Sequence, residues 1–182
     1  ISKNIYEGFM QFDVEGNFDG FIGAPRVTPG FLDYFWKKIM TEAQKERISL
    51  FLPTEYSNIH IDNDGFIYGT ISLGSLDKQP IRKLNPSGDD VLRRTGFYPP
   101  VGDLQYPPVN TGALVEGPSA FIDVITHKQG IFSVLDRKRG RIFTYDNNGK
   151  LLFVFGSKGK VKGTFKHPVA IETMGNKIVV LD

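Results

Sequence analysis

From Gly117 the sequence states one pattern and then begins it again. GPSAFIDVITHKQGIFSVLDRKRGRIFTYDNNGKLLFVFG is followed by FKHPVAIETMGNKIVVLD. In each copy Pro opens a short apolar segment, a Gly-centred turn follows, and a second apolar segment ends in Asp. Gly130 is thus matched by Gly175 and Asp136 by Asp182. Self-similarity with this strand content restricts the chain to a repeat architecture made of β-strands, a propeller or a solenoid.

The landmarks extend upstream. NIHIDNDGFIYGTIS at 58–72 has the shape of the segment from Phe121, with Gly65 in the place of Gly130. The second half of the unit recurs as IYEGFMQFDVEGNFDGFIG near the amino end, IRKLNPSGDDVLRR at 81–94 and RIFTYDNNGKLLFVFG at 141–156. Each holds an Asp or Asn with Gly three residues on (Asp13 and Gly16, Asn85 and Gly88, Asp146 and Gly149) between alternating apolar segments. That is a hairpin signal, because the first side chain can accept from nearby backbone amides and Gly tolerates positive φ. With four strands a, b, c and d per unit, the expected order is c-d, a-b-c-d, a-b-c-d, a-b, about twelve strands. The expected divisions are a half unit at 1–24, a helical insert at 25–53, a unit at 54–95, a Pro/Tyr-rich insert at 96–117, a unit at 118–166 and a half unit at 167–182.

The order P-x-x-I/V, G-x-I-x-V-x-D, R-I-F-x-Y-D-x-x-G-x-L, with Asp136, Arg141, Ile142, Asp146 and Gly149 in place, resembles the NHL-repeat β-propellers. The match is best over Pro118–Gly156, and Pro168–Asp182 repeats its first half. The unit from Asn58 to Arg94 departs from it at Gly69, Thr70 and Asn85. The inserts and the wording of TGFYPPVGDL and FKHPVAIE are similar to bacterial NHL proteins. The resemblance implies an all-β fold, a propeller usually of six blades. About three blades' worth of strands and one inserted helix fall in this chain, and both termini are expected to be cut from a longer protein. It implies binding of protein, nucleic acid or small ligands, with some relatives acting as lyases or hydrolases. It also implies that Asp136 and Arg141 form a structural ion pair between strands.

Composition suits a compact β domain, with 40% hydrophobic and 13% aromatic residues and 20 Gly and 11 Pro to serve turns. Twenty-two basic against 20 acidic side chains leave a net charge of +2, too balanced to call for nucleic acid or an anionic membrane as partner. The absence of Cys excludes disulfides and thiolate metal sites and leaves the compartment open, with an extracellular or cell-surface setting expected. No apolar run approaches the roughly 20 residues of a membrane-spanning helix.

Two inserts interrupt the repeat where strand d of one unit crosses to strand a of the next. In Pro25–Pro53, Thr28 as N-cap, Pro29 at the first position and Leu32, Phe35, Trp36, Ile39, Met40 and Ala43 at helical spacing predict a helix over about residues 29–48. The second insert, with Tyr98, Pro99, Pro100, Val101, Gly102, Asp103, Tyr106, Pro107 and Pro108, is too rich in Pro for regular structure and predicts a stiff surface loop. Antiparallel a-b-c-d order puts the b-c turns and the d-to-a crossovers at one end and the tight a-b and c-d turns at the other. The elaborated end is therefore the expected binding face, with Trp36, Tyr98, Pro100, Asp103, Tyr106, Arg137 and Arg139 as candidate contacts.

Each candidate has a plainer reading. Arg137, Lys138 and Arg139 read as an exposed basic turn that could meet an anion but is expected to be a solvated charge run, dispensable for folding. The triplet Asp62, Asn63, Asp64 before Gly65 resembles half a calcium loop, but an EF-hand frame would place Glu where Ile71 stands, so a turn is expected. Among the histidines, His60, His127 and His167, the last precedes Pro168 where some NHL-like lyases hold zinc. Similarity to lactonase-type propellers makes Glu172 the one acidic strand-a residue expected to face a channel metal. No metal or other cofactor is expected, since a site of that kind needs ligands from several blades. No phosphate loop, nucleophile elbow or Ser/His/Asp set stands out. The favoured reading is a non-catalytic module that binds a protein, peptide or carbohydrate. The alternatives are a channel-metal hydrolase or lyase and a structural spacer in a larger surface protein. The open strand edges are expected to be covered by further blades or by a second copy.

Overall fold

The computed structural model describes residues 9–22, 56–71, 79–94, 97–103 and 118–182. The expected helix, and with it Trp36 and Tyr106, lies outside these residues. Among them the protein is all-β, with eleven strands in four antiparallel sheets. Sheet 1 pairs β1 (Phe9–Phe12) with β2 (Phe18–Ile22). Sheet 2 runs β3 (Tyr56–Ile61), β4 (Ile67–Ile71), β5 (Ile81–Leu84). Sheet 3 runs β6 (Phe121–Thr126), β7 (Phe132–Asp136), β8 (Arg141–Tyr145), β9 (Leu151–Phe155). Sheet 4 pairs β10 (Ala170–Met174) with β11 (Lys177–Leu181). Spatial order equals chain order in every sheet, as hairpin-linked strands require.

Strands β6, β7 and β8 of sheet 3 are covered on both faces, which is why they read as nearly continuous apolar runs rather than strict alternation, whereas the outer strand β9 is exposed. Val124, Val134 and Phe143 turn to one side and pack with Tyr68 and Ile81 of sheet 2. Their chain neighbours Ile125, Leu135 and Ile142 turn to the other side and meet Ile171 of sheet 4. Each such side chain, fully buried, contributes roughly 1.5–3 kcal/mol of hydrophobic stabilisation. Rings thread the first interface, with centroids 5.4 Å apart for Tyr68 and Phe132 and 5.4 Å for Phe132 and Tyr145.

The expected twelfth strand is missing from sheet 2. Among the described residues after the Asn85 turn only one bridge forms, between Leu84 and Asp90. The Asp90 carboxylate accepts from Arg82 at 2.8 Å and Arg94 at 2.7 Å and takes the Leu92 amide, so side-chain bonds occupy the place of a ladder. Gly69, out of pattern in the sequence, has a packing reason: a Cβ there would lie 2.8 Å from the Tyr56 ring and 3.1 Å from Phe9, the two rings through which sheet 1 meets sheet 2. Thr70 bonds Ser57 through their hydroxyls.

A recurring device fixes the entry to the first strands of sheets 3 and 4. The strand-b Asp accepts from the incoming segment: Asp136 from the Ser119 hydroxyl and the Ala120 amide, Asp182 from the Lys166 and His167 amides. This overturns the expected ion pair of Asp136 with Arg141. The two are cross-strand neighbours, but Arg141 reaches Asp103 at 2.8 Å instead, because the Asp136 carboxylate is fully buried and already holds Ser119, Ala120 and the Lys138 amide.

Candidate functional site

The first strands of sheets 2, 3 and 4 lie side by side, β6 against β3 on one flank and β10 on the other. Asp123 on β6 ties the three together. Its Oδ1 accepts from Asn58 Nδ2 of β3 at 2.6 Å and from the Val124 amide at 2.8 Å, and its Oδ2 accepts from the Ile171 amide of β10 at 2.8 Å. The carboxyl is 5% exposed, and burial raises its pKa against the lowering effect of the Ile171 and Val124 amides. Glu172, expected to be the one acidic residue on a strand a, is therefore joined by Asp123, which sits inside the apolar segment FIDVIT and carries no motif of its own.

Beyond this clamp the a-b turns of the three sheets surround a cleft of about 1120 Å³. Sheet 2 contributes His60 to Asp64, sheet 3 Thr126 to Ile131, and sheet 4 Thr173, Gly175 and Asn176. Its polar edge holds three side-chain amides, one per sheet: Asn63, Gln129 and Asn176. All three are exposed, and among the described residues none is tied by a hydrogen bond. Gln129 is held at φ 62°, the one non-Gly residue with positive φ among those described. A bulky residue in that region stores of order 1–3 kcal/mol of strain, and such strain gathers at functional sites. Gly130 follows at φ 70°, and a Cβ there would lie 2.7 Å from Asn147, so the c-d turn of sheet 3 meets its a-b turn at this end.

The wall mixes charged turn residues, Asp62, Asp64 and Lys128, with polar groups tied into the sheets. His127 bonds Ser133 Oγ through Nε2 at 2.8 Å, and Ser133 bonds Thr144 in turn. Burial lowers the His127 pKa, and the nearby His60 lowers it further, so the imidazole is neutral at pH 7. Asp62 Oδ1 is committed to the Asp64 and Phe66 amides, the turn reading rather than a calcium loop. Lys83 lies behind that turn, its Nζ 4.7 Å from the Phe66 ring centroid and 5.2 Å from that of Tyr68, donating to Asn147 Oδ1. Burial lowers its pKa, opposed by Asp62 and Asp64. Glu172 is held below its ordinary value mainly by the Thr173 amide. Among the described residues no group of three or more His, Asp or Glu could hold a metal ion, and His167 and Glu172 do not converge on one.

The expected binding face is assembled differently from its sequence outline. Pro100 is buried, and its Cγ would lie 3.2 Å from a Cβ on Gly149, at the tight-turn end. Asp103 is neutralised by Arg141 at 2.8 Å and Arg139 at 3.6 Å. The basic turn is not uniformly solvated as expected: Arg137 is exposed, whereas the Arg139 side chain is 15% exposed between Asp103 and Asp136. Tyr98 is exposed and stacks edge-on against Phe97 at 4.8 Å. The cleft amides gave no sequence signal beyond the turns they occupy.

In comparisons with known proteins, the chain matches no family model and no curated protein.

Proposed function

We propose that this chain is an arc of an NHL-type β-propeller acting as a non-catalytic binding module, and that its ligand is a short polar peptide segment seated in the cleft between the a-b turns. The propeller reading rests on antiparallel sheets repeating in chain order with their first strands side by side. One observation carries the binding reading: Asn63, Gln129 and Asn176, from three different sheets, present unengaged amides around one cleft. Each amide both donates and accepts, which matches the alternating N–H and C=O groups of a peptide. At about 1120 Å³ the cleft exceeds the roughly 300–1,000 Å³ usual for small-molecule sites. Among the described residues that line it none is Phe, Tyr or Trp, the rings that stack on a sugar, which favours peptide over carbohydrate.

The test is chemical-shift mapping of the isotope-labelled chain with a random octapeptide pool. Changes should gather on residues 60–64, 127–131 and 173–176, and disappear in the Asn63→Ala, Gln129→Ala, Asn176→Ala triple variant. Changes gathered on Asp103, Arg137 and Arg139 would move the site to the opposite end.

A further inference from the structure

Sheets 1 and 4 have two strands each, and each reproduces one half of sheet 3. The β1–β2 hairpin carries the Asp-x-x-Gly turn of β8–β9 and also its irregularity. The register shifts between Gln11 and Phe12 in one and between Thr144 and Tyr145 in the other, equivalent positions when Asp13 is set on Asp146. The β10–β11 hairpin corresponds to β6–β7, with Asp182 in the place of Asp136. Among the described residues neither β1 nor β11 has a strand on its outer edge.

We propose that two copies of the chain complete each other, β11 of one pairing antiparallel with β1 of the second to give a four-stranded sheet β10–β11–β1–β2 at each of two equivalent junctions. Transferring the register of β7 on β8 sets Leu181 opposite Phe9, Val180 opposite Met10, Val179 opposite Gln11 and Ile178 opposite Phe12. The contact would cover side chains that are now wet: Met10 is 65% exposed, Phe12 54% and Leu181 64%. The edge offers the groups required. The Leu181 carbonyl accepts from the Val169 amide, so its polar groups face β10, and alternation turns those of Val180 and Ile178 outward.

Charge selects the occupant. Residues 9–22 carry Asp13, Glu15 and Asp19 with no basic residue, whereas residues 156–182 carry Lys158, Lys160, Lys162, Lys166 and Lys177 against Glu172 and Asp182. In the transferred register Lys177 stands opposite Asp13. One end of the chain is thus the acidic, apolar complement of the other, and a two-fold pair satisfies both contacts at once.

Light scattering on the 182-residue chain should give a dimer. With no native Cys, the Gln11→Cys, Val179→Cys variant should form an intermolecular disulfide on a non-reducing gel, while Gln11→Cys, Leu152→Cys should form none above background. Lys177→Glu should weaken the dimer about tenfold with circular dichroism unchanged. A monomer at the highest soluble concentration would show that other polypeptide covers these edges, and equal cross-linking of the two cysteine pairs would show non-specific association. Either result overturns the proposal.

Discussion

Two turns of closely similar chemistry give a controlled measure of how the Arg93 backbone is held against sheet 3. In Asp62–Gly65 and Asp146–Gly149 the Asp side chain accepts two backbone amides and the Gly amide donates to the Asp carbonyl, at 3.1 Å in the first and 2.9 Å in the second. The glycines sit at φ 79° and 76°. Substitution by Ala at either site should cost about 1–2 kcal/mol for placing an L residue in the left-handed region. The surroundings then separate the two. A methyl on Gly65 meets only Pro86 Cγ at an ordinary 3.7 Å, but on Gly149 it would lie 2.4 Å from the Arg93 carbonyl oxygen. Main chain cannot rotate away as a side chain can, so the overlap adds about 1–3 kcal/mol, the range for overpacking. Urea unfolding followed by circular dichroism should therefore show Gly149→Ala less stable than Gly65→Ala by that difference. Because the closest atom belongs to the backbone, adding Pro100→Ala should not restore stability. Equal losses at the two glycines, or rescue by Pro100→Ala, would refute the reasoning.

Asp123→Ala should destabilise by about 3–5 kcal/mol in the same assay, since the buried Val124 and Ile171 amides, together with the exposed Asn58 side chain, lose a charged acceptor. Arg137→Ala should stay within about 0.5 kcal/mol, whereas Arg139→Ala should cost about 1–2 kcal/mol because it uncovers Asp136 and removes a partner of Asp103. His127 has a folded pKa below its unfolded value, so the unfolded chain binds the extra proton first. Its contribution is complete above about pH 6.5 and is lost as pH falls from there through the folded value. Urea midpoints measured from about pH 7.5 down to about pH 5.5 should fall, and His127→Gln should flatten that slope.

What the sequence made legible was local. The turns were readable because Asp or Asn followed by Gly three residues on bonds within itself, and the same side-chain-to-amide pattern recurs at Asp13, Asp62, Asn85 and Asp146. The strands were readable because apolar segments end at those turns. What stayed hidden depends on partners distant in sequence. Asp123 reads as a polar lapse in FIDVIT until Asn58 and Ile171 arrive on either side of it. Gly69 reads as a weak strand position until the Phe9 and Tyr56 rings need the space. Arg141 found Asp103 across 38 residues, in a Pro-rich segment whose path no periodicity announces.

The two ends of the sheets differ in how their polar groups are used, and Gln129 turns that difference into a prediction. At the b-c end, Arg139 and Arg141 both pair with Asp103 and Asp136 holds backbone, so the chemistry there stabilises the fold. At the a-b end the turns are closed by their own backbone and Asp side chains, which leaves Asn63, Gln129 and Asn176 unengaged. A residue kept at φ 62° with an idle side chain is a stability loss with no folding return. Gln129→Gly removes the Cβ penalty and should stabilise the chain by about 0.5–1 kcal/mol, the unfolded-state entropy of Gly offsetting part of the relief. The same substitution should weaken retention of the octapeptide pool at the cleft, because one of three sheets loses its amide. If Gln129→Gly proves stabilising and leaves peptide shifts intact, the strain belongs to the turn alone and Gln129 leaves the proposed site. If it proves destabilising, the side chain holds the turn and the strain argument fails.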